Sequence, residues 1–163
     1  MRTVITAVLL AVSITPALAQ TWGKESLIEL PGVQVVVEDL DEESEKSTGL
    51  TRRVLATTLE LRLRQNGIRV VSAAVALNAS LYLHVGILPL SGRPSCVYTV
   101  NLRMNQRVRL VRNPTKMVGA VTWKVPGWLG RGSCGDVKRK VLDLVTESVD
   151  EFANDYRAMN PKD

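Results

Sequence analysis

The chain has 163 residues, of which 45% are hydrophobic and 23% charged, with a net charge of +5. That composition suits a globular domain and excludes a disordered or low-complexity chain. Two cysteines and one histidine are too few for a Cys/His metal site, and they leave histidine-based acid–base catalysis a single candidate residue.

Residues 1–19 have the three parts of a secretory signal peptide. Arg2 supplies the positive start, the apolar run goes from Val4 to Leu10 and on through Ala11, Val12 and Ile14, and Pro16 precedes Ala17-Leu18-Ala19, an A-x-A cleavage site before Gln20. The apolar run is shorter than the ~20 residues that a spanning helix needs, and no later segment is apolar enough to span. The expectation is a periplasmic or secreted protein, cleaved near Ala19, that is not an integral membrane protein. No Cys follows the cleavage site, so a lipid anchor there is not indicated. In an oxidising compartment the even cysteine count predicts one disulfide, Cys96–Cys134. A loop of that size stabilises by about 4 kcal/mol in the chain-entropy picture.

Residues 20–30 read as an irregular arm, and Pro31-Gly32 as a turn. Val33 to Leu40 is rich in Val and predicts a buried strand. Asp41 to Thr48 is acidic and polar, a loop. Leu50 to Gln65 has helical spacing: Leu50, Val54, Thr58, Leu61 and Gln65 share a side that Leu55, Leu59 and Leu63 widen. Ser47 or Thr48 caps its start and Asn66-Gly67 stops it. Ile68 to Ser72 reads as a short strand and Leu81 to Leu88 as a longer one, followed by a turn at Ser91-Gly92-Arg93-Pro94. Val97 to Arg112 alternates over an unusual length. Tyr98, Val100, Leu102, Met104, Val108 and Leu110 face one way, and Asn101, Arg103, Asn105, Arg107 and Arg109 the other, as in a strand with one wet face. After a turn at Asn113-Pro114-Thr115, Met117 to Lys124 is a further strand and Pro126 to Gly135 a Gly-rich loop. Asp136 caps a last helix whose apolar stripe is Val137, Val141, Leu144, Val145, Val149, Phe152 and Tyr156, with Lys138, Asp143, Glu147, Asp150, Glu151 and Asp155 largely outside it. Asn160-Pro161 ends the fold. The order β-α-β-β-β-β-α predicts an α+β two-layer sandwich over residues 31–159, with a tail at 160–163. Its mainly antiparallel sheet carries two amphipathic helices on one face and is open on the other.

Few motifs suggest chemistry. Gly130-Arg131-Gly132-Ser133-Cys134-Gly135 matches G-x-G-x-x-G, but no strand follows the helix it precedes, so the dinucleotide context fails. Arg131 and Gly132 remain a weaker candidate anion site at the helix start. Asp39, Asp41, Glu43 and Glu45 alternate like a calcium loop, yet Ser44 and Leu50 stand where an EF-hand needs Gly and Glu. His84 falls on the wetter side of a strand with no recognisable nucleophile nearby. Asn78-Ala79-Ser80 is a glycosylation sequon. Arg103, Arg107 and Arg109 share a strand face with Arg112 and Lys116 just beyond, a stripe suited to an anionic envelope component. Nucleic acid is not expected outside the cytosol, and no cofactor or metal is indicated.

The helix ending Leu61-Arg62-Leu63-Arg64-Gln65-Asn66-Gly67, then Ile68-Arg69-Val70-Val71, then Ala79-Ser80-Leu81-Tyr82-Leu83-His84-Val85 resembles the opening of small bacterial envelope α+β domains. These are the amino-terminal domain of the TolB translocation protein and the related penicillin-binding-protein activator and curli-secretion lipoprotein domains. The resemblance implies a non-catalytic, protein-binding envelope domain. The expectation is therefore a binding protein rather than an enzyme, with an envelope protein or an anionic envelope component as partner. The alternative is a carrier or sensor of a small or lipidic ligand.

Overall fold

The computed structural model describes residues 23–72 and 79–161. The expected signal peptide and Asn78 of the sequon lie outside the described residues. The elements in chain order are β1 (Gln34–Val37), α1 (Glu42–Thr48), α2 (Arg52–Gln65), β2 (Ala79–Pro89), β3 (Ser95–Leu110), β4 (Asn113–Lys124), β5 (Trp128–Ser133) and α3 (Cys134–Met159), after a 3-10 turn at Lys24–Leu27. The fold is α+β, with one five-stranded mixed sheet. Among the described strands β1–β2 is parallel, and β2–β3, β3–β4 and β3–β5 are antiparallel. The long β3 shares one edge between two partners: Ser95–Val100 pairs with β5, and Arg103–Leu110 with β4.

Strict alternation builds the central strands. Leu81, Leu83, Val85 and Ile87 of β2 and Cys96, Tyr98, Val100, Leu102 and Met104 of β3 are buried on one face. Leu55, Leu59 and Leu63 of α2 and Val137, Val141, Val145, Val149 and Phe152 of α3 complete the same core. Trp123 of β4 meets Phe152 edge-on, with ring centroids 4.9 Å apart. Cys96 and Cys134 are bonded, with Cα atoms 5.0 Å apart, tying the first residue of α3 to the start of β3.

Several local expectations are corrected. Residues 41–48 are not a loop: Asp41 caps α1, its carboxylate accepting from the Ser44 N–H at 2.8 Å and the Ser44 hydroxyl at 2.6 Å. A side-chain cap outweighed the polar composition. α2 is capped by Thr51, which accepts from Val54 N. It buries the i, i+4 row Leu55–Leu59–Leu63 and leaves Leu61 exposed. Ile68 to Ser72 makes only an isolated parallel bridge, Val33↔Val70. The Gly-rich segment is instead a strand, β5, because β3 offers it a free edge. The hairpin turns at Val111-Arg112 rather than at Asn113-Pro114-Thr115, so β4 starts earlier. Pro114 is tolerated because β4 is an edge strand. α3 begins at Cys134 with Ser133 at its N-cap position and no side-chain cap, and Asp136 lies in its first turn.

The segment from Gly23 to Leu30 docks into the core through Leu27 and Leu30. Gly23 has φ 88, and a Cβ there would stand 1.6 Å from the Thr122 carbonyl oxygen, so only glycine allows this approach. At the other end, Asn160 donates to the Leu27 carbonyl at 2.8 Å and accepts from Glu29 N at 2.8 Å, closing arm and last helix together.

Candidate interaction face

Burying one face of β2 and β3 forces the alternate residues onto the other. That open face carries Tyr82 and His84 from β2, Asn101, Arg103, Arg107 and Arg109 from β3, and Lys124 from β4. Glu38, just past β1, donates its backbone N–H to the Leu83 carbonyl and so stands beside them. One oxygen of its carboxylate accepts the Tyr82 hydroxyl at 2.6 Å and lies 2.7 Å from His84 Nδ1. A carboxylate only accepts, so Nδ1 carries the proton. These bonds, Tyr82 first and His84 second, hold the Glu38 carboxyl below its usual range, and the same bond raises the Tyr82 phenol. The Arg103 guanidinium stacks over the Tyr82 ring, 4.7 Å from its centroid. Glu38, Tyr82, His84, Asn101, Arg103 and Lys124 line a shallow hollow of about 550 Å³.

The charge of this layer is one-sided. Between Glu60 and Asp136 the chain contains no Asp or Glu, and that stretch supplies β2, β3, β4 and β5. Arg103, Arg107, Arg109, Lys124 and Arg131 emerge on the open face, with Glu38 at its β1 margin. Near Arg131 the face turns apolar, at Leu88, Val97 and Leu129, the last 76% exposed.

Arg103, Arg107 and Arg109 are all exposed on one side of β3. Their surroundings differ. Arg103 sits over the packed sheet. Arg107 and Arg109 belong to the distal part of the β3–β4 hairpin, where Val108 and Leu110 are only half-buried rather than in the core, and residues 113–119 are exposed. That part of the ribbon lies beyond the helix layer, and Val111 at its turn is 98% exposed.

Arg131 and Gly132 are consecutive in β5 and so face opposite sides of the sheet. Arg131 donates to the Ser95 hydroxyl at 3.4 Å, whereas Gly132 faces Lys140 of α3. Gly130 lies flat on Tyr98, where a Cβ would come within 2.4 Å of the ring. Gly130 and Gly132 of the motif thus serve close packing of β5, and Gly135 lies in α3. Among the described residues no three His, Cys, Asp or Glu side chains converge as a metal site, and no helix is long and apolar enough to cross a membrane.

Asp155, expected on the polar side of α3, is 5% exposed. The Glu38–Tyr82–His84 cluster was not expected either, since Glu38 is distant in sequence from its partners. The acid-free stretch from 61 to 135 was not expected either, although the sequence carries it as a charge asymmetry that a count of Asp and Glu finds. Compared with known proteins, the chain matches no family model and no curated relative.

Proposed function

We propose that this chain is an exported, non-catalytic binding domain of the cell envelope that engages an anionic partner, an envelope protein or another envelope component, across the open face of its sheet. One observation carries the reading: the strands from β2 to β5 contain no carboxylate, while Arg103, Arg107, Arg109, Lys124 and Arg131 stand on one wet surface. A single-sign field of this kind steers oppositely charged partners and disfavours like-charged ones. The apolar spot at Leu88, Val97 and Leu129 supplies the desolvated contact that such interfaces combine with a charged rim.

Three further features support the reading. The Cys96–Cys134 bond suits an oxidising compartment, in agreement with the export signal at residues 1–19. Glu38 accepts hydrogen bonds from Tyr82 and His84, which hold its carboxyl below its usual range and tie it into the open face. The resemblance to TolB amino-terminal domains points to the same class of role.

The test is capture from native envelope extract, with wild-type protein and the Arg103→Gln, Arg107→Gln, Arg109→Gln variant as baits. The wild type retains a partner that raised salt releases, and the variant loses it. Equal capture by both baits contradicts the proposal.

A further inference from the structure

Arg103 and Lys124 are Cα partners across the β3–β4 ladder. Like charges directly opposite one another on a sheet repel and destabilise it. Among the described residues, neither side chain takes part in a hydrogen bond or an ion pair, and the carboxylate beside them, Glu38, is occupied by Tyr82 and His84. The pair therefore stands as two cations against the single negative charge of Glu38, and the hollow keeps a positive excess.

The hollow also holds one of them in place. Glu38 fixes the Tyr82 hydroxyl, and the Tyr82 ring supports the Arg103 guanidinium from below. Resting over the ring engages the charge of the guanidinium without using its N–H donors, which are available for an anion. Lys124 adds a mobile point charge, and the Asn101 amide lines the same space. We infer that Arg103 and Lys124 form a binding site for a phosphate group, with Asn101 as an additional polar contact. A carboxylate offers two acceptor oxygens in one plane, whereas a phosphate monoester offers three and can meet the Arg103 fork and the Lys124 ammonium at once. Arginine supplies the planar fork that phosphate oxygens accept, and lysine the point charge. This deepens the reading that the open face engages an anionic partner, and rests on it.

The phosphate can belong to a lipid headgroup or to a soluble molecule, and two probes separate these. Inorganic phosphate and vesicles of phosphatidylcholine doped with phosphatidic acid are titrated onto the disulfide-bonded protein by calorimetry. The proteins are the wild type, R103Q/K124Q, and R107Q/R109Q as a control on the same strand face. All four side chains are exposed, so each variant keeps the wild-type circular dichroism. The wild type binds inorganic phosphate and R103Q/K124Q weakens it about tenfold or more, as expected for losing charge-assisted hydrogen bonds. R107Q/R109Q stays within about twofold, because its charges lie beyond ready hydrogen-bond reach and act only through the screened field. Vesicle binding with the same pattern identifies a headgroup ligand; binding of free phosphate alone identifies a soluble one. Equal losses in the two variants overturn the site while leaving the basic face as a diffuse attractor. A wild type that binds neither probe overturns the site outright, and the capture experiment then judges the face independently.

Discussion

Trp123 and Asp155 are joined in the core: the indole Nε1 donates to Asp155 Oδ2 at 2.9 Å, and Lys24 Nζ lies 2.7 Å from the other carboxylate oxygen. One carboxylate thus ties β4, α3 and the N-terminal arm together. Asp155→Ala leaves the indole N–H without its acceptor and removes the ion pair of Lys24 in the arm, and costs about 3 kcal/mol. Urea unfolding followed by Trp fluorescence measures it. A loss under about 1 kcal/mol would mean that the arm and β4 hold without this link.

The Cys96–Cys134 bond spans 38 residues. The double Cys→Ser variant loses about 4 kcal/mol, chiefly by freeing the unfolded chain. Guanidinium midpoints for the variant and for the oxidised wild type give the difference, and equal midpoints would show that α3 is held by packing alone.

Arg62 grips Asp150 with two bonds of 2.6 Å each, joining α2 to α3. The Arg62 bond first, then that from Asn66, holds the Asp150 carboxyl below its usual range against the opposing effect of burial. A lowered folded-state value stabilises the fold above the ordinary aspartate range, and that stability is lost as pH falls through the lowered value. Both side chains are over a third exposed, so Asp150→Asn costs about 1 kcal/mol at neutral pH. The gap between variant and wild type closes in acid. A gap that persists unchanged at acid pH would assign the loss to something other than this ion pair.

Glu151 shows the opposite shift. Burial first, and the neighbouring Asp155 second, push its carboxyl above its usual range. Its ionised form therefore opposes folding at neutral pH, and the penalty disappears as pH falls below the raised value. Glu151→Gln should unfold at a higher temperature than wild type at neutral pH and at the same temperature in acid. A lower melting temperature at neutral pH would show that Glu151 makes a stabilising contact instead.

Much of this fold was legible in the sequence because the sheet is open on one side. Alternation at Leu81, Leu83 and Val85 and at Val100, Leu102 and Met104 follows directly from burying one face and wetting the other. The misread segments are those decided by single tertiary partners. The row 128–133 looks like a loop by composition, and becomes β5 because the first half of β3 offers unpaired backbone. Residues 42–48 become a helix because Asp41 supplies a cap and Ser44 reaches the Ile87 carbonyl at 2.9 Å. Asp155 reads as solvent-facing until Trp123 meets it. The arginines of β3 were legible as a stripe, but the Glu38–Tyr82–Arg103 support was not, since the β1–β2 pairing that creates it is non-local.

Side-chain footprinting by hydroxyl radicals, with and without the captured envelope partner, tests most directly whether the open sheet face is the binding surface. Tyr82, His84, Met117 and Leu129 report on that face, and Leu61 of α2 reports on the helix layer. The account predicts that partner binding protects the four residues of the sheet face and leaves Leu61 as reactive as in the free protein. Protection of Leu61 with an unchanged sheet face would place the partner on the helices and contradict it.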